Sequence, residues 1–290
     1  MRISIIGAGR VGQTLGRLAR EAGYEIGEVV SRTRRSAQAA VKFIGSGEAQ
    51  SAAQARLTAA DLFLIATPDD RIQDAVEMIL QQAPTRCRAV VLHTSGALAS
   101  DALAPLASCG YSVGSCHPLQ TFASPERALP LARGIYYCIE GDARAVRMAR
   151  RLARDVGGRP FEIRTEMKSL YHVAAVMASG GFVSLLSISM EALTRCGLKE
   201  KEAQKVLLPL VEGTLANVRA VGPARALTGP VRRGDAGTVR RNLDALARIN
   251  RVNSQWFEVY RALGLRAVTL AEKAGTDENA LDEVRRLLES

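Results

Sequence analysis

Of the three histidines in the chain, two close apolar runs: His93 ends Val-Val-Leu-His and His117 ends Val-Gly-Ser-Cys-His. The third, His172, follows Lys168 by four residues in a helical pattern, so the two share a helix face. An imidazole and an amine side by side can donate a proton to a carbonyl or imine and stabilise the charge that develops there. Lys168 and His172 are therefore candidate catalytic residues, with His117 and Ser95 as further candidates for holding polar groups of a substrate. The plainer alternative is a surface lysine and a core histidine. No His-x-x-x-His pair or carboxylate companion accompanies the histidines, so no metal is expected.

A second constellation lies at the N-terminus. Gly7-Ala8-Gly9-Arg10-Val11-Gly12 follows an apolar strand pattern directly and leads into an amphipathic helix, the context in which Gly-x-Gly-x-x-Gly signals a dinucleotide site. Gly7 permits a tight turn, Gly9 lets a pyrophosphate approach the backbone, and Gly12 lets helix and strand pack closely, with the helix N-terminus facing the anion. An NAD-preferring site carries an acid about 20 residues on. Here that position reads Ser31-Arg32-Thr33-Arg34-Arg35-Ser36. Hydroxyl and guanidinium groups suit the 2′-phosphate of NADP through charge-assisted bonds, with Arg32 the leading residue and Arg34 and Arg35 in support. A solvated basic loop is the alternative.

Ala66, Thr67 and Pro68 end an apolar run at the strand edge where ligands of open α/β sheets collect, and His93 ends another; all four are expected to line the cofactor. Asp69 and Asp70 are read as caps of the following helix. The turn-rich segment Leu227 to Asp235 either aims Arg232 or Arg233 at a substrate anion or only terminates helices.

These residues need a scaffold. Up to residue 164, short β-rich runs alternate with helical patterns, which predicts a doubly wound parallel sheet of the Rossmann type. Expected strands are 2–6, 25–31, 62–66, 89–93, 112–116, 135–140 and 161–164; helices are expected over 11–22, 37–43, 72–82, 99–107 and 143–156. From residue 165 the β-rich runs cease and five long helical patterns follow, over 166–196, 199–221, 236–248, 250–274 and 277–289. Two domains are expected, 1–164 for the cofactor and 165–290, all helical, for substrate and dimerisation.

Composition narrows the function classes. The formal charge of +10 is spread over both halves, and aromatics make up only 4% of the chain, so nucleic acid is not expected as a partner and a small anionic substrate is. The apolar stretch from His172 to Leu193 is long enough to span a bilayer, but it is rich in Ser, Gly and Ala and stands alone, so a buried central helix is expected in its place. The strand pattern begins at the first residues, leaving no signal peptide in view, and a cytoplasmic protein is expected. Cys87, Cys109, Cys116, Cys138 and Cys196 form no Cys-x-x-Cys pair and are read as reduced, mostly buried thiols.

Taken together, Gly7 to Gly12, His93-Thr94-Ser95-Gly96, His117 to Phe122, Lys168 to His172 and Leu227 to Asp235 resemble a known group. It comprises bacterial Rossmann-like proteins with a C-terminal domain of unknown function, allied to pyrroline-5-carboxylate reductases, deazaflavin-dependent NADP reductases and β-hydroxyacid dehydrogenases. The resemblance implies a C-terminal domain like that of 6-phosphogluconate dehydrogenase and a homodimer built through its helices. In β-hydroxyacid dehydrogenases an Asn stands four residues after the catalytic Lys, where this chain has His172. The expectation is an NADP(H)-dependent oxidoreductase reducing a small oxo acid or cyclic imine; the alternative is a non-catalytic NADP(H) sensor.

Overall fold

The computed structural model describes residues 1–83, 89–249 and 254–290. Two compact units result, Met1–Gly181 and Phe182–Ser290. Cys87 and the start of the expected helix at 250 lie outside the described residues.

In the first unit, runs of β-branched and aliphatic residues form strands β1 (Arg2–Ile6), β2 (Glu25–Ser31), β3 (Glu48–Ser51), β4 (Leu62–Ile65), β5 (Val90–His93), β6 (Ser112–Pro118), β7 (Tyr136–Gly141) and β8 (Arg159–Glu162). They make one sheet in the order β3-β2-β1-β4-β5-β6-β7-β8. Helices α1 (Arg10–Glu21), α2 (Arg34–Ile44), α3 (Ile72–Gln82), α4 (Ala104–Ser108), α5 (Pro125–Leu131), α6 (Ala143–Asp155) and α7 (Lys168–Val176) complete the unit. Alternate residues of each strand feed two cores. Ile3, Ile5, Leu62, Leu64 and Leu92 pack with Leu15 and Leu18 of α1 and Leu152 of α6. Ile6, Phe63, Ile65 and Val91 pack with Ile72, Val76 and Ile79 of α3. This is the doubly wound pattern, buried on both faces.

Four expectations are corrected. Strand β3 was not expected: Glu-Ala-Gln-Ser is polar because β3 is an edge strand bonded only to β2, with little to bury. Helix α5 was also missed, although Ser124 before Pro125 is a start signal, and the Ser124 hydroxyl accepts the Arg127 N–H. The sheet is not wholly parallel. The Leu119 N–H donates to the Tyr136 carbonyl, so the excursion over 119–135 returns to the edge it left and β7 runs antiparallel to β6. Among the cysteines, Cys116 and Cys138 are buried but Cys109 and Cys196 are exposed.

The second unit is helical: α8 (Phe182–Arg195), α9 (Glu200–Ala226), α10 (Ala236–Ile249), α11 (Ser254–Lys273) and α12 (Glu278–Glu289). Val239, Leu243, Val268, Leu281, Val284 and Leu288 form its core. α9 bends at Gly222, whose φ of 78° is left-handed and precedes Pro223. Arg232 is held by the Thr276 hydroxyl at 2.6 Å and the Ala274 carbonyl at 3.1 Å, and Arg233 lies 3.8 Å from Asp235, so this loop ties helices together. The helical run Thr165–Arg195 is long and apolar enough to cross a membrane, yet none of its most apolar window is buried. The expectation of a buried central helix is thus overturned: Val173, Met177 and Val183 are all more than half exposed.

Candidate active site

The C-terminal ends of the parallel strands carry two polar assemblies, both within the first unit. The first surrounds the turn after β1. The Gly7 and Ala8 N–H groups both donate to the Val30 carbonyl of β2, and Gly7 takes φ +93°. A side chain at Gly7 would stand 2.5 Å from the Thr67 nitrogen, and one at Gly12 would stand 2.4 Å from the Gly7 carbonyl oxygen, so both glycines are demanded by close backbone packing. Gly9 differs: nothing lies within 4 Å of where its Cβ would be. It is the N-cap of α1, with no side-chain cap and no acid in the first turn. Unfilled space above an uncapped helix start, bordered by N–H donors, is a seat for an anion. Beside it the Thr67 hydroxyl is buried and has no hydrogen-bond partner.

Arg32, Arg34 and Arg35 are exposed, and none has an acidic partner within 4 Å among the described residues. Thr33 caps α2 through the Ser36 N–H, while Ser31 is buried at the end of β2. The Arg10 guanidinium reaches 3.5 Å from the Phe122 carbonyl, beyond a good hydrogen bond. Ala8 is buried; Val11, Ala66 and Thr67 are half-buried and Pro68 exposed, all around the same turn. Asp69 and Asp70 do not cap: neither carboxylate takes a backbone N–H of the following turns, and Asp70 faces Arg71 at 3.7 Å.

The second assembly follows from strand register. Ser115 of β6 pairs with His93 of β5 on one side and Glu140 of β7 on the other, and His117 pairs with Cys138, so these side chains share one face. Lys168, the first residue of α7, reaches this face at Ser115. The Lys168 amine is 1% exposed and bonds the Ser115 hydroxyl. Burial pulls its pKa below the usual lysine value, against the opposing pull of Cys138, Glu140 and Asp69. Its ammonium stands 5.6 Å from the Tyr171 ring centroid. Tyr171 in turn bonds His117 Nδ1 at 2.7 Å and the Cys138 thiol.

His93 is fully enclosed. Its Nε2 lies 3.1 Å from the Ala99 carbonyl and its Nδ1 accepts the Ser95 N–H at 3.2 Å, which leaves neither nitrogen for a ligand. Ser95 likewise uses its hydroxyl oxygen on the Ala97 and Leu98 N–H groups. His117 and His172 close on Gly96: a Cβ there would meet His172 Nδ1 at 2.8 Å and His117 Nε2 at 2.9 Å. His172 Nδ1 is buried and unpartnered. Burial and then the nearby Lys168 hold His93 and His117 down to about 4, so both are neutral at physiological pH. Glu140 is buried and takes both the N–H and the hydroxyl of Ser100.

The structure thus brings Lys168, His172, His117 and Ser95 to one strand edge. Sequence reasoning missed Ser115, Cys138, Glu140 and Tyr171. The signal for the first three was the alternation along β6 and β7, and for Tyr171 its place beside His172. Chemically, the assembly offers the neutral imidazole of His117 as a hydrogen-bonding group and a buried amine that moves a proton more readily than a free lysine does.

A doubly wound sheet with a glycine-rich β1–α1 turn, followed by a helical unit, defines a protein of the Rossmann class. The family comparisons agree: residues 1–118 match the Rossmann-like domain, and residues 135–267 match a domain of unknown function, DUF2520. The chain resembles the crystal structure of a Thermotoga maritima protein, with 26% identity, 94% of this chain and 99% of that one covered, and a TM-score of 0.74. A Bacteroides fragilis protein described as a candidate NADP oxidoreductase aligns at 23% identity over 92% of this chain and 97% of that one, TM-score 0.71. An imine reductase from Streptomyces aurantiacus shares the fold at 16% identity and a TM-score of 0.58, over 100% of this chain and 92% of that one. No curated protein matches the sequence.

Proposed function

We propose that the protein is a cytoplasmic NADP(H)-dependent oxidoreductase that reduces a small, anionic oxo acid or a cyclic imine. The observation that carries the reading is the turn after β1: open space at Gly9 over an uncapped helix start, with glycine required on either side. The residues fit a dinucleotide. Gly7 to Gly12 would hold its pyrophosphate, with Ala66, Thr67 and Pro68 alongside, and the Thr67 hydroxyl is a buried donor in need of a partner. Ser31, Arg32, Arg34 and Arg35 would hold the adenosine end, where guanidiniums without carboxylate partners favour a 2′-phosphate over a bare ribose. When bound, a nicotinamide supplies or accepts hydride.

The protein's own part is proton management and orientation. His117, kept neutral and bonded through Nδ1 to Tyr171, presents Nε2 as a hydrogen bond for a substrate oxygen or nitrogen. Lys168 lies beneath, and its charge favours negative charge developing on the substrate. His93 acts from behind as the group that shapes the Ser95 turn. The Bacteroides relative is described for NADP chemistry and the Streptomyces one reduces imines; both descriptions point the same way. Exposed Val206, Leu210 and Leu215 of α9, with Val183 of α8, support a homodimer through the C-terminal helices in preference to a membrane span, and light scattering should return twice the chain mass of 31.1 kDa.

The test is a fluorescence titration with NADPH and NADH, repeated on Arg32→Ala, followed by a turnover screen of oxo acids and cyclic imines. NADPH is expected to bind at least ~10-fold more tightly than NADH, a preference that the variant loses. Failure to bind either dinucleotide sinks the reading; tight binding without turnover on any carbonyl or imine leaves a sensor.

A further inference from the structure

A cavity of about 160 Å³ opens at the end of β3, lined in part by Arg34, Arg56, Gln50, Gln54 and Ser51. Its position follows from register. Ser31 pairs with Ser51, so the ends of β2 and β3 lie side by side, and the segment Ser31 to Ser36 borders the cavity through Arg34. Arg56 comes from a stretch with no apparent motif. Its backbone is nevertheless fixed: the Gln50 side-chain carbonyl accepts the Arg56 N–H at 2.7 Å, and the Gln50 amide donates to the Arg56 carbonyl at 3.3 Å. Neither Arg34 nor Arg56 has an acidic partner within 4 Å among the described residues, although Glu48 lines the same cavity. Two arginines that line one small space without an ion pair to the neighbouring Glu48 make a positive recess. α2 also begins at Arg34, with no acid in its first turn, which adds the positive end of a helix.

We infer that this recess seats a phosphate monoester, the 2′-phosphate of the cofactor's adenosine, between Arg34 and Arg56, with Gln50 as the positioning residue for Arg56. The inference rests on the dinucleotide reading above and extends the specificity site from the Ser31 to Ser36 loop to a residue on the far side of β3. Glu48 works against the anion and keeps the preference moderate.

The experiment is a titration of the full-length protein and its Arg56→Ala, Arg56→Lys and Glu48→Gln variants with NADPH, NADH, and the pair 2′,5′-ADP and 5′-ADP, with circular dichroism confirming the fold. Arg56→Ala should weaken NADPH and 2′,5′-ADP by roughly 10-fold to 100-fold while NADH and 5′-ADP are unchanged. Arg56→Lys should recover part of the loss, and Glu48→Gln should bind NADPH a few-fold more tightly than the parent. A parent that prefers NADPH and an Arg56→Ala variant that keeps that preference overturns the seat but spares the cofactor reading. Equal weakening of NADPH and NADH overturns it as well, by placing Arg56 on a part common to both. A parent that binds neither dinucleotide defeats the cofactor reading itself, and the seat with it. Competition by inorganic phosphate as strong as that by 2′,5′-ADP would make the recess a free-anion site and overturn the assignment to adenosine.

Discussion

The two halves of one sheet edge are built on opposite principles. Around β1, β2 and β3 the polar groups are open and unsatisfied: among the described residues nothing fills the space at Gly9, the Thr67 hydroxyl has no partner, and Arg32, Arg34, Arg35 and Arg56 have no carboxylate. Around β5, β6 and β7 the polar groups are enclosed and mostly satisfied by one another, through Ser115 with Lys168, Ser100 with Glu140, and Tyr171 with His117. Buried polar groups are tolerated only when paired, whereas groups meant for a ligand wait for it. The first half therefore reads as a site that a ligand completes, and the second as a device whose protonation state the fold itself sets.

The sharpest break between glycines that serve the fold and a glycine that serves a ligand lies within one turn. Gly9 has φ −76°, which alanine accepts, and space for a methyl group, so Gly9→Ala should melt with the parent. That methyl would nonetheless hold a pyrophosphate off the N–H groups. Losing two charge-assisted hydrogen bonds at roughly 1.5–3 kcal/mol each weakens NADPH on the order of 1000-fold. Gly12→Ala, by contrast, drives a Cβ against the Gly7 carbonyl and should destabilise by roughly 1–3 kcal/mol. Thermal melts and cofactor titrations of both variants decide it, and a Gly9→Ala protein that binds as the parent does would erase the distinction.

The same contrast governs how much was readable in advance. The open half announces itself locally, because Gly-x-Gly-x-x-Gly and the run of arginines are contiguous and each residue's role follows from its own backbone position. The enclosed half is non-local. Ser115 matters because β6 lies between β5 and β7, and that neighbour order is a property of the whole sheet. Arg56 was silent for a related reason: strand β3 is too polar to look like a strand, so the cavity beside it had no address in the sequence. The exposed apolar face of the Thr165–Arg195 run escaped because an apolar pattern tells that a surface is to be covered without telling by what.

A smaller effect tests the enclosed half. His93 and His117 are held at about 4 in the folded protein against 6.5 for a free imidazole. Above pH 6.5 both states are neutral and the groups contribute nothing. As pH falls from 6.5 to 4 the unfolded chain takes up protons that the folded one refuses, so stability drops, by roughly 3 kcal/mol per histidine at pH 4. Lys168, His172 and His93 surround His117, and the nearby charge of Lys168 adds to the penalty of burial on charging it. Denaturant unfolding at pH 7 and pH 4 should show His117→Gln losing about 3 kcal/mol less than the parent; equal losses would mean that His117 already titrates as a free histidine and that this half is as open as the other.

The smallest effect comes from a buried charge, that of Lys168. If Lys168 were there for stability, Lys168→Met would remove an essential bond; if it is there for chemistry, an apolar side chain of similar length should fill the site with a change of only about 1 kcal/mol at pH 7, in either direction. The pH profile separates these outcomes. With a folded pKa below the unfolded one, the parent's unfolded state binds the extra proton in the alkaline range, so parent stability rises with pH there toward 10.5. Lys168→Met lacks that rise, and with it the positive charge beneath His117, so turnover should fall while NADPH binding at the open half persists. A variant that unfolds at pH 7, or one that keeps full turnover, would move Lys168 from the chemistry to the core and reduce the enclosed half to packing.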